Sequence, residues 1–322
     1  MLILILETLQ PTIKIITDNL MATEYLGIDI GGTNVKMGIV NSETGQISNF
    51  YSHDTESWRK SGHFEERLGE AISLQLIDNK EINKVGIGLP GMINLARTIP
   101  VEITAIPELN NVPMVDILKK RFPTVEFYLE NDANAAALGE FYFGEERIQE
   151  SYIFITLGTG VGGAAIIGKK VFTGGRGNAM EPGHTPTANG KVLERNIGKN
   201  ELLDMANAMR KSYIGITQLP DDETISTTGL VAAASEGDKL ALQVFEKVGE
   251  LLGENLCHLI AILDINLILV GGGLSASFDY ILPAMKEKFA FWLTKYHADG
   301  LKITRATLGN DAGLLGAASL CF

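Results

Sequence analysis

The stretch "YLGIDIGGTNVKMGIV", residues 25–40, places two apolar runs on either side of a Gly-Gly-Thr turn. Apolar runs separated by a short glycine turn are typical of a β-hairpin, so we predict strands on both sides of residues 31–33. The glycines stand between two strands rather than between a strand and a helix. This order differs from the G-x-G-x-x-G layout of a dinucleotide site. The turn predicts a hairpin whose backbone N–H groups can approach an anion.

The same layout recurs in "SYIFITLGTGVGGAAIIGKKVF", residues 151–172. A buried strand follows each hairpin later in the chain, as "KVGIGLPG" at 84–91 and "NLILVGGG" at 266–273, with helical segments between. Two copies of one hairpin-plus-βα unit predict an α/β protein with two similar domains and a cleft between them. Ligands in such folds bind at the strand ends, which is where these glycine turns collect.

Composition limits the classes of partner. The chain has 322 residues, of which 45% are hydrophobic and 20% charged, as expected of a soluble globular protein with a sizeable core. The net charge of −12 disfavours nucleic acids and anionic membranes, so we expect neither as a partner. Two isolated cysteines give no disulfide framework and no zinc spacing, which favours the cytoplasm. The sequence contains no run of 18 unbroken apolar residues, and we expect no membrane segment.

The chain divides into an extension and two domains in our interpretation. The start, "MLILILETLQ", is too short for a membrane span and lacks a signal-peptide pattern, and Met21 offers an alternative start. We therefore expect an extension at 1–24, a small α/β domain at 25–130 and a large one at 131–310. A final helix at about 311–322 is expected to pack back on the small domain.

Three glycine clusters suggest a nucleotide. The turns at 31–33 and 157–163 occupy matching points of the two halves, and facing each other they would suit the β- and γ-phosphates. Asp29 could orient a hydrated Mg²⁺, although a turn-capping role stays open. The run "VGGGLSAS", residues 270–277, offers a flat backbone platform for adenosine and a helix N-terminus for a phosphate.

The segment "LENDANAAALGE", residues 129–140, predicts a strand that leads directly into a helix. Asp132 can be the helix N-cap or a general base on a substrate hydroxyl, and the residues alone leave both open. Asn131 could bind a neighbouring hydroxyl. Glu140 is expected on a solvated face.

These motifs, together with "GIGLPGMIN" and "LGTGVGGAAIIGKKVFTGGRGNAMEPGH", occur in the order seen in the ROK family of sugar kinases and repressors. The resemblance covers residues 25 to about 322. It implies two RNase H-like domains of the actin-like and hexokinase-like ATPase superfamily, with a cleft that closes on sugar. It also implies Mg-ATP as the phosphoryl donor and assembly as a homodimer or homotetramer.

The resemblance also assigns roles by position. The catalytic base would be Asp132. The sugar ligands would be Gly91, Asn131, Asp132, Glu181, His184 and Glu194. The nucleotide site would comprise Asp29, Gly31, Gly32, Thr33, Thr159, Gly160, Gly163, Gly271, Gly272 and Gly273, with Asp29 holding Mg²⁺ through water.

One segment departs from the family pattern. Most members follow the histidine with a C-x-C-G-x-x-G-C-x-E segment that binds structural zinc, but here it reads "HTPTANGKVLE". Glu194 remains and every cysteine is gone. Structural zinc needs four ligands, so we predict no zinc and a loop ordered by hydrogen bonds and packing.

The sequence therefore predicts an ATP-dependent hexose kinase, with glucose phosphorylated at O6. The altered loops at 106–113 and 185–194 leave an N-acetylhexosamine kinase, for N-acetylglucosamine or N-acetylmannosamine, as the alternative. A repressor would need a DNA-binding domain before the first glycine turn, and residues 1–24 show no recognition-helix pattern. A non-catalytic sugar-binding protein is a further alternative, which the presence of the implied site residues disfavours.

Overall fold

The computed structural model describes residues 23–322 apart from residues 147, 149, 222 and 223. The expected extension at 1–24 lies outside this range except for its last two residues. No helix in the described part of the chain is both long and apolar enough to cross a bilayer.

Twelve strands and eleven α-helices occur in the described residues. The strands are β1 (Glu24–Ile30), β2 (Asn34–Asn41), β3 (Ile47–Asp54), β4 (Lys84–Leu89), β5 (Met92–Ile93), β6 (Pro100–Glu102), β7 (Glu126–Asn131), β8 (Tyr152–Leu157), β9 (Val161–Ile167), β10 (Lys170–Val171), β11 (Leu267–Gly271) and β12 (Lys302–Arg305). The helices are α1 (Thr55–Lys60), α2 (Phe64–Ile77), α3 (Met114–Arg121), α4 (Asp132–Phe143), α5 (Glu194–Ile197), α6 (Lys199–Ser212), α7 (Thr227–Ser235), α8 (Lys239–Leu263), α9 (Phe278–Trp292), α10 (Lys295–Ala298) and α11 (Ala312–Ser319).

The strands form two five-stranded sheets of the same topology and a small β5–β6 hairpin. The first sheet has the order β3-β2-β1-β4-β7 and the second β10-β9-β8-β11-β12. In each, three antiparallel strands come first in the chain and two further strands then add in parallel. The ends of the parallel strands therefore lie at one edge of each sheet, where binding sites form in such folds. The predicted α/β class with two RNase H-like units is confirmed.

Each sheet has its own core. Apolar side chains of α2 and α3, such as Leu68 and Leu118, are buried with the strands of the first sheet. The long helix α8 and its neighbour α9 are buried with the second sheet. Gly249 and Gly253 of α8 lie where a side chain would collide with the backbone of α9, so these two helices pack closely.

Helices α4 and α11 pack against each other and join the two halves. A Cβ on Gly316 would lie 1.6 Å from the carbonyl oxygen of Ala135, and a Cβ on Gly139 would lie 2.5 Å from that of Ala312. The two helix backbones therefore touch at these glycines. Gly27 and Gly86 similarly allow α11 to lie directly on β1 and β4 of the first sheet. The domain boundaries after residues 130 and 310 remain a prediction.

Candidate active site

The first hairpin carries an ion pair at its end. Asp29 lies on β1 and Lys36 opposite it on β2, with 3.8 Å between the lysine Nζ and the carboxylate Oδ2. The same Nζ donates to the carbonyl oxygen of Asn310 at 2.8 Å. Burial raises the pKa of Asp29 to about 6, against the lowering effect of Lys36, and the nearby Asp132 raises it further.

Asp132 is the first residue of α4, directly after strand β7. Asn131 is the N-cap, because its side-chain oxygen accepts from the backbone N–H groups of Ala133 at 2.9 Å and Asn134 at 3.2 Å. The N-cap interpretation of Asp132 was therefore wrong, since the preceding residue already fills that position. Burial raises the pKa of Asp132, while hydrogen bonds, among them that from the Ala133 N–H, oppose the rise.

A cavity of about 190 Å³ lies between the two halves and is lined by both aspartates. The first half contributes Asp29 and Lys36, and α4 contributes Asp132. The far wall comes from strand ends of the second half, with Thr156, Gly271 and Gly272. A loop before α11 closes the remaining side with Gly309 and Asn310.

The wall at residues 271–273 is built from bare backbone. Gly272 has a φ of 87°, and a Cβ there would lie 2.4 Å from the carbonyl oxygen of Leu157. Gly271 packs on Phe154 and Ala306, so a side chain would crowd this wall. Gly273 is exposed and has open space beside it, outside the lining of the cavity. A flat planar group can approach such a surface.

The two glycine turns offer free backbone donors near this cavity. The free donors lie three and four residues beyond Asp29 and Thr156, which line it. Within the described residues, the N–H groups of Gly32 and Thr33 in the first turn have no acceptor, and neither have those of Thr159 and Gly160 in the second. Successive free N–H groups of this kind attract anions.

Gly163 has a different environment from its expected one. It is buried within β9, and a Cβ there would lie 2.7 Å from Pro182. Its missing side chain lets the segment that carries Glu181 approach the second sheet. The structure therefore does not bring Gly163 to the cavity, and its packing against Pro182 explains the glycine.

Asp132 also belongs to a second group of ionisable side chains. Burial raises the pKa of Glu181, His184 opposes the rise, and Asp132 and Glu194 add to it. Glu181 therefore lies within electrostatic reach of Asp132, His184 and Glu194. Glu181 and Glu194 are half-buried and His184 is exposed. Glu194 is fixed further, because its Oε2 accepts from the backbone N–H of Val161 at 3.0 Å.

Gly91 lies against Asn131 at the end of β4. Its φ of 86° favours glycine, and a Cβ would lie 2.2 Å from the carbonyl oxygen of Glu102. The side-chain amide of Asn131 donates to the Gly91 carbonyl at 3.1 Å. The β4 turn therefore fixes the amide beside Asp132.

The segment at 185–194 forms a hydrogen-bonded hairpin. Pro186 and Val192 form an antiparallel bridge, and the backbone of Thr187 donates to Lys191 at 2.8 Å. The Asn196 side chain donates to the Thr187 hydroxyl at 3.0 Å and accepts from Asn189 at 2.6 Å. Asn255 of α8 donates to the hydroxyl of Thr185. In the described range, no group of three or more His, Cys, Asp or Glu side chains is arranged to hold a metal ion.

The sequence interpretation missed two charged residues at the cavity. Lys36 lines it, and the alternation of β2 gave no sign that this residue would meet Asn310. Glu140 was expected on a solvated face, and this was wrong, because the side chain is 1% exposed. Its carboxylate accepts from the backbone of Thr307 at 3.2 Å and of Leu308 at 2.8 Å, and so holds the loop that closes the cavity.

Comparison with known proteins identifies the family. The model of the ROK family matches residues 25–322. A glucokinase of Thermotoga maritima is 31% identical, over 92% of this chain and 96% of its own length. An N-acetyl-D-glucosamine kinase of Pasteurella multocida is also 31% identical, over 91% of this chain and 98% of its own.

A solved structure shares the fold over nearly the whole chain. The ROK family glucokinase of Streptomyces griseus, in complex with glucose and AMPPNP, is 28% identical with a TM-score of 0.73. The match covers 92% of this chain and 99% of that one. From the matched domain and these relatives, the chain belongs to the ROK family.

Proposed function

We propose that this protein is an ATP-dependent sugar kinase that transfers the γ-phosphoryl group of ATP to a hexose, with glucose and its O6 hydroxyl as the leading substrate. One observation carries the proposal. Asp132 lines the cavity with Asp29 and the Gly271–Gly272 wall, and it also lies near Glu181, one of the proposed sugar ligands. A carboxylate shared by a phosphate-sized cavity and a hydroxyl-binding cluster is where a phosphoryl-transfer base is needed.

The proposed roles follow from the chemistry of each group. Asp132 accepts the proton of the attacking hydroxyl, and its raised pKa brings it nearer to neutral pH, which suits a base. Glu181, His184 and Glu194 bind the other sugar hydroxyls, with Asn131 positioned by Gly91. The free N–H groups of the two glycine turns and the Nζ of Lys36 face the phosphate oxygens. Placement and charge neutralisation of this kind account for most of the rate of phosphoryl transfer.

The residues fit a magnesium nucleotide rather than an all-protein metal site. Mg²⁺ binds through one or two carboxylates, waters and substrate phosphates, so the half-buried carboxylate of Asp29 is a sufficient protein contribution. Asp29 would hold the ion through water. When bound, the ion would neutralise charge on the phosphate groups.

A second candidate is an N-acetylhexosamine kinase. The relative from Pasteurella multocida carries that name and is as similar in identity as the Thermotoga maritima glucokinase. The hairpin at 185–194 differs from the family's cysteine segment and ends at Glu194, one of the proposed sugar ligands. The identity of the sugar depends on this region.

The test is a coupled ADP-release screen with ATP and Mg²⁺ over glucose, mannose, fructose, N-acetylglucosamine and N-acetylmannosamine. The proposal expects the highest kcat/KM for glucose, and a product phosphorylated at O6 by NMR. The highest value for an acetylated sugar would establish the second candidate. No ADP release above the sugar-free rate, with glucose binding retained, would instead support a non-catalytic sugar-binding protein.

We also propose a homodimer or homotetramer in the cytoplasm. Ile262 of α8 and Phe291 and Trp292 of α9 are exposed by 76%, 74% and 61%, which is high for large apolar side chains. Both cysteines are free and buried, as suits a reducing compartment. Light scattering after size exclusion would measure the mass of the assembly, and a monomer would contradict the proposal.

A further inference from the structure

Arg97 occupies a turn position that favours glycine. It lies between β5 and β6 with a φ of 56°, a conformation that a residue with a side chain adopts only at a cost in free energy. Asn94 fixes this turn, because its side-chain oxygen accepts from the backbone of Thr98 at 2.8 Å and Ile99 at 3.1 Å. The turn therefore holds the Arg97 side chain in one defined position.

The guanidinium joins the two halves of the molecule. Its Nη2 donates to the carbonyl oxygen of Gly177 at 2.6 Å, in the loop at 173–180 that leads to Glu181. Beside it, the Asn178 side chain exchanges two hydrogen bonds of 2.9 Å with the backbone of Ile93. The β5–β6 hairpin is thus docked on the loop that carries a proposed sugar ligand.

The same Nη2 reaches a buried carboxylate beneath the proposed base. It lies 3.3 Å from the Oε1 of Glu130, whose side chain is 8% exposed. This Oε1 also accepts from the backbone N–H of Asn131 at 2.8 Å and from the side-chain amide of Asn134 at 3.0 Å. A buried carboxylate is stable only with a cation and hydrogen-bond donors around it. Here the cation is Arg97, from the turn between β5 and β6, and the donors are at the start of α4.

This network contains one unused donor and one unused acceptor. The Nη1 of Arg97 and the Oδ1 of Asn134 are both buried and have no partner in the described part of the chain. Both belong to side chains bonded to the same oxygen of Glu130. Buried polar groups are nearly always paired, so this donor and this acceptor, which belong to side chains that share one oxygen of Glu130, are candidates to pair with each other.

We propose that Arg97, Glu130 and Asn134 form an interdomain latch that completes when sugar binds. In the completed latch, Arg97 Nη1 donates to Asn134 Oδ1. The loop at 173–180 and Glu181 then move toward Asp132. Arg97 is a positioning residue, because it acts on the sugar site through Glu130 and Gly177. The inference rests on the proposed sugar-kinase function.

The kinetic test compares R97M with R67M. Arg67 is an exposed residue of α2 whose guanidinium pairs with Glu70 on the surface, so its loss should be neutral. We expect R97M to raise the hexose KM at least about tenfold, as misplacement of binding groups does, with the KM for ATP changed less than about twofold. R97K keeps the charge beside Glu130 and should recover part of the loss. Equal rises in both KM values, or an unchanged hexose KM, would overturn the latch.

Two further measurements separate the latch from simple destabilisation. Hydrogen exchange of the loop at 173–180 should slow when the best hexose of the screen is added to wild type and R67M, but not to R97M. A double-mutant cycle of R97M and N134A in hexose kcat/KM should show coupling of about fivefold or more. Equal protection in R97M, or additive effects, would count against the latch.

A wild type without ADP release or sugar binding would contradict the proposed function itself. An active wild type with an unaffected R97M would contradict only the latch.

Discussion

The two sheets share one topology and differ in chemistry at matching positions. In the first hairpin, the next-to-last strand pair is Asp29 opposite Lys36. In the second hairpin, the pair at this register is Thr156 opposite Gly162. A Cβ on Gly162 would lie 2.8 Å from the Thr156 methyl and 3.5 Å from Ala133 of α4. The first half supplies charge, and the second leaves room for the helix that begins with Asp132.

The glycine turns after β4 and β11 share one backbone conformation but lie beside different parts of the proposed site. Gly91 follows β4 with a φ of 86°, and Gly272 follows β11 with a φ of 87°. The first touches Asn131 on the proposed sugar side, and the second lines the cavity of the proposed nucleotide side. Under the proposed function, the same backbone conformation would serve two different ligands. A duplicated fold here does not mean duplicated chemistry.

The largest expected effect tests whether the chemistry depends on the carboxylate between the halves. We expect D132N to lower kcat by about 10³-fold, because the amide cannot accept the hydroxyl proton. The Tm should stay the same or rise slightly, since a desolvated carboxylate is removed and the Ala133 N–H keeps an acceptor. D116N, on the exposed face of α3, is the control. Near-wild-type turnover in D132N would remove Asp132 from the mechanism.

The contribution of the Asp29–Lys36 ion pair can be tested by replacing Lys36, with replacement of an exposed lysine in the second hairpin as the control. We expect K36M to lower kcat/KM for ATP by about 10²-fold, because it removes a cation that lines the cavity and leaves Asp29 without its partner. K170M changes an exposed lysine of β10 and should behave as wild type. Similar losses in both variants would contradict the asymmetry between the hairpins.

The raised pKa values of the two aspartates that line the cavity predict an acid limb in the pH profile. A raised pKa means that Asp29 and Asp132 become protonated at a higher pH than ordinary aspartates, and the proposed mechanism needs both ionised. With the pKa of Asp29 at about 6, kcat/KM should fall about tenfold from pH 7 to pH 5. The measurement is initial rate against pH at low substrate. A profile flat down to pH 5 would show that these groups titrate normally.

The two matched glycines allow a reciprocal experiment. G91A should raise the hexose KM by about tenfold with little change for ATP, and G272A should do the reverse, since each Cβ would press on backbone beside one ligand. Each variant is the control for the other, and Tm measurements account for the strain at positive φ. The same pattern of KM changes in both would mean that the two turns do not serve separate ligands.

The smallest effect concerns the hairpin that stands where relatives have the cysteine segment. T187V removes the hydroxyl that accepts from Asn196, and we expect the hexose KM to rise about threefold. T44V, in the exposed β2–β3 turn of the first sheet, is the matched control. A zinc-selective chelator should leave Tm and activity unchanged in the presence of Mg²⁺. A loss of Tm with the chelator would reveal a metal that stabilises the fold.

The repeated fold could be predicted from the sequence because its signals are local. Strand alternation and glycine turns lie within short stretches of the chain, such as 25–40 and 151–172. The family pattern predicts that Asp132, His184 and Glu194 lie near Glu181, and all three influence the pKa of Glu181. Their roles in binding and catalysis remain proposals.

The rest depends on contacts between distant parts of the chain. Glu140 lies in an alanine-rich helix, and its burial depends on the backbone at residues 307 and 308. Lys36 acquires its position through Asn310. Gly163 resembles the other turn glycines in sequence, but Pro182 covers it. No local pattern contains these partners, so the sequence could not separate these residues from their neighbours.

The crossing of α4 and α11 at Gly139 and Gly316 limits how the two halves can move. The backbones touch at two neighbouring points, so this contact resists separation and sliding and leaves rotation of one helix over the other as the freer motion. Because α4 begins with Asp132 about two turns from this pivot, rotation would sweep the outer loops widely and displace the carboxylate little. In a protein built this way, substitutions in the outer loops could change which molecules enter the cavity. The position of Asp132 would stay nearly the same.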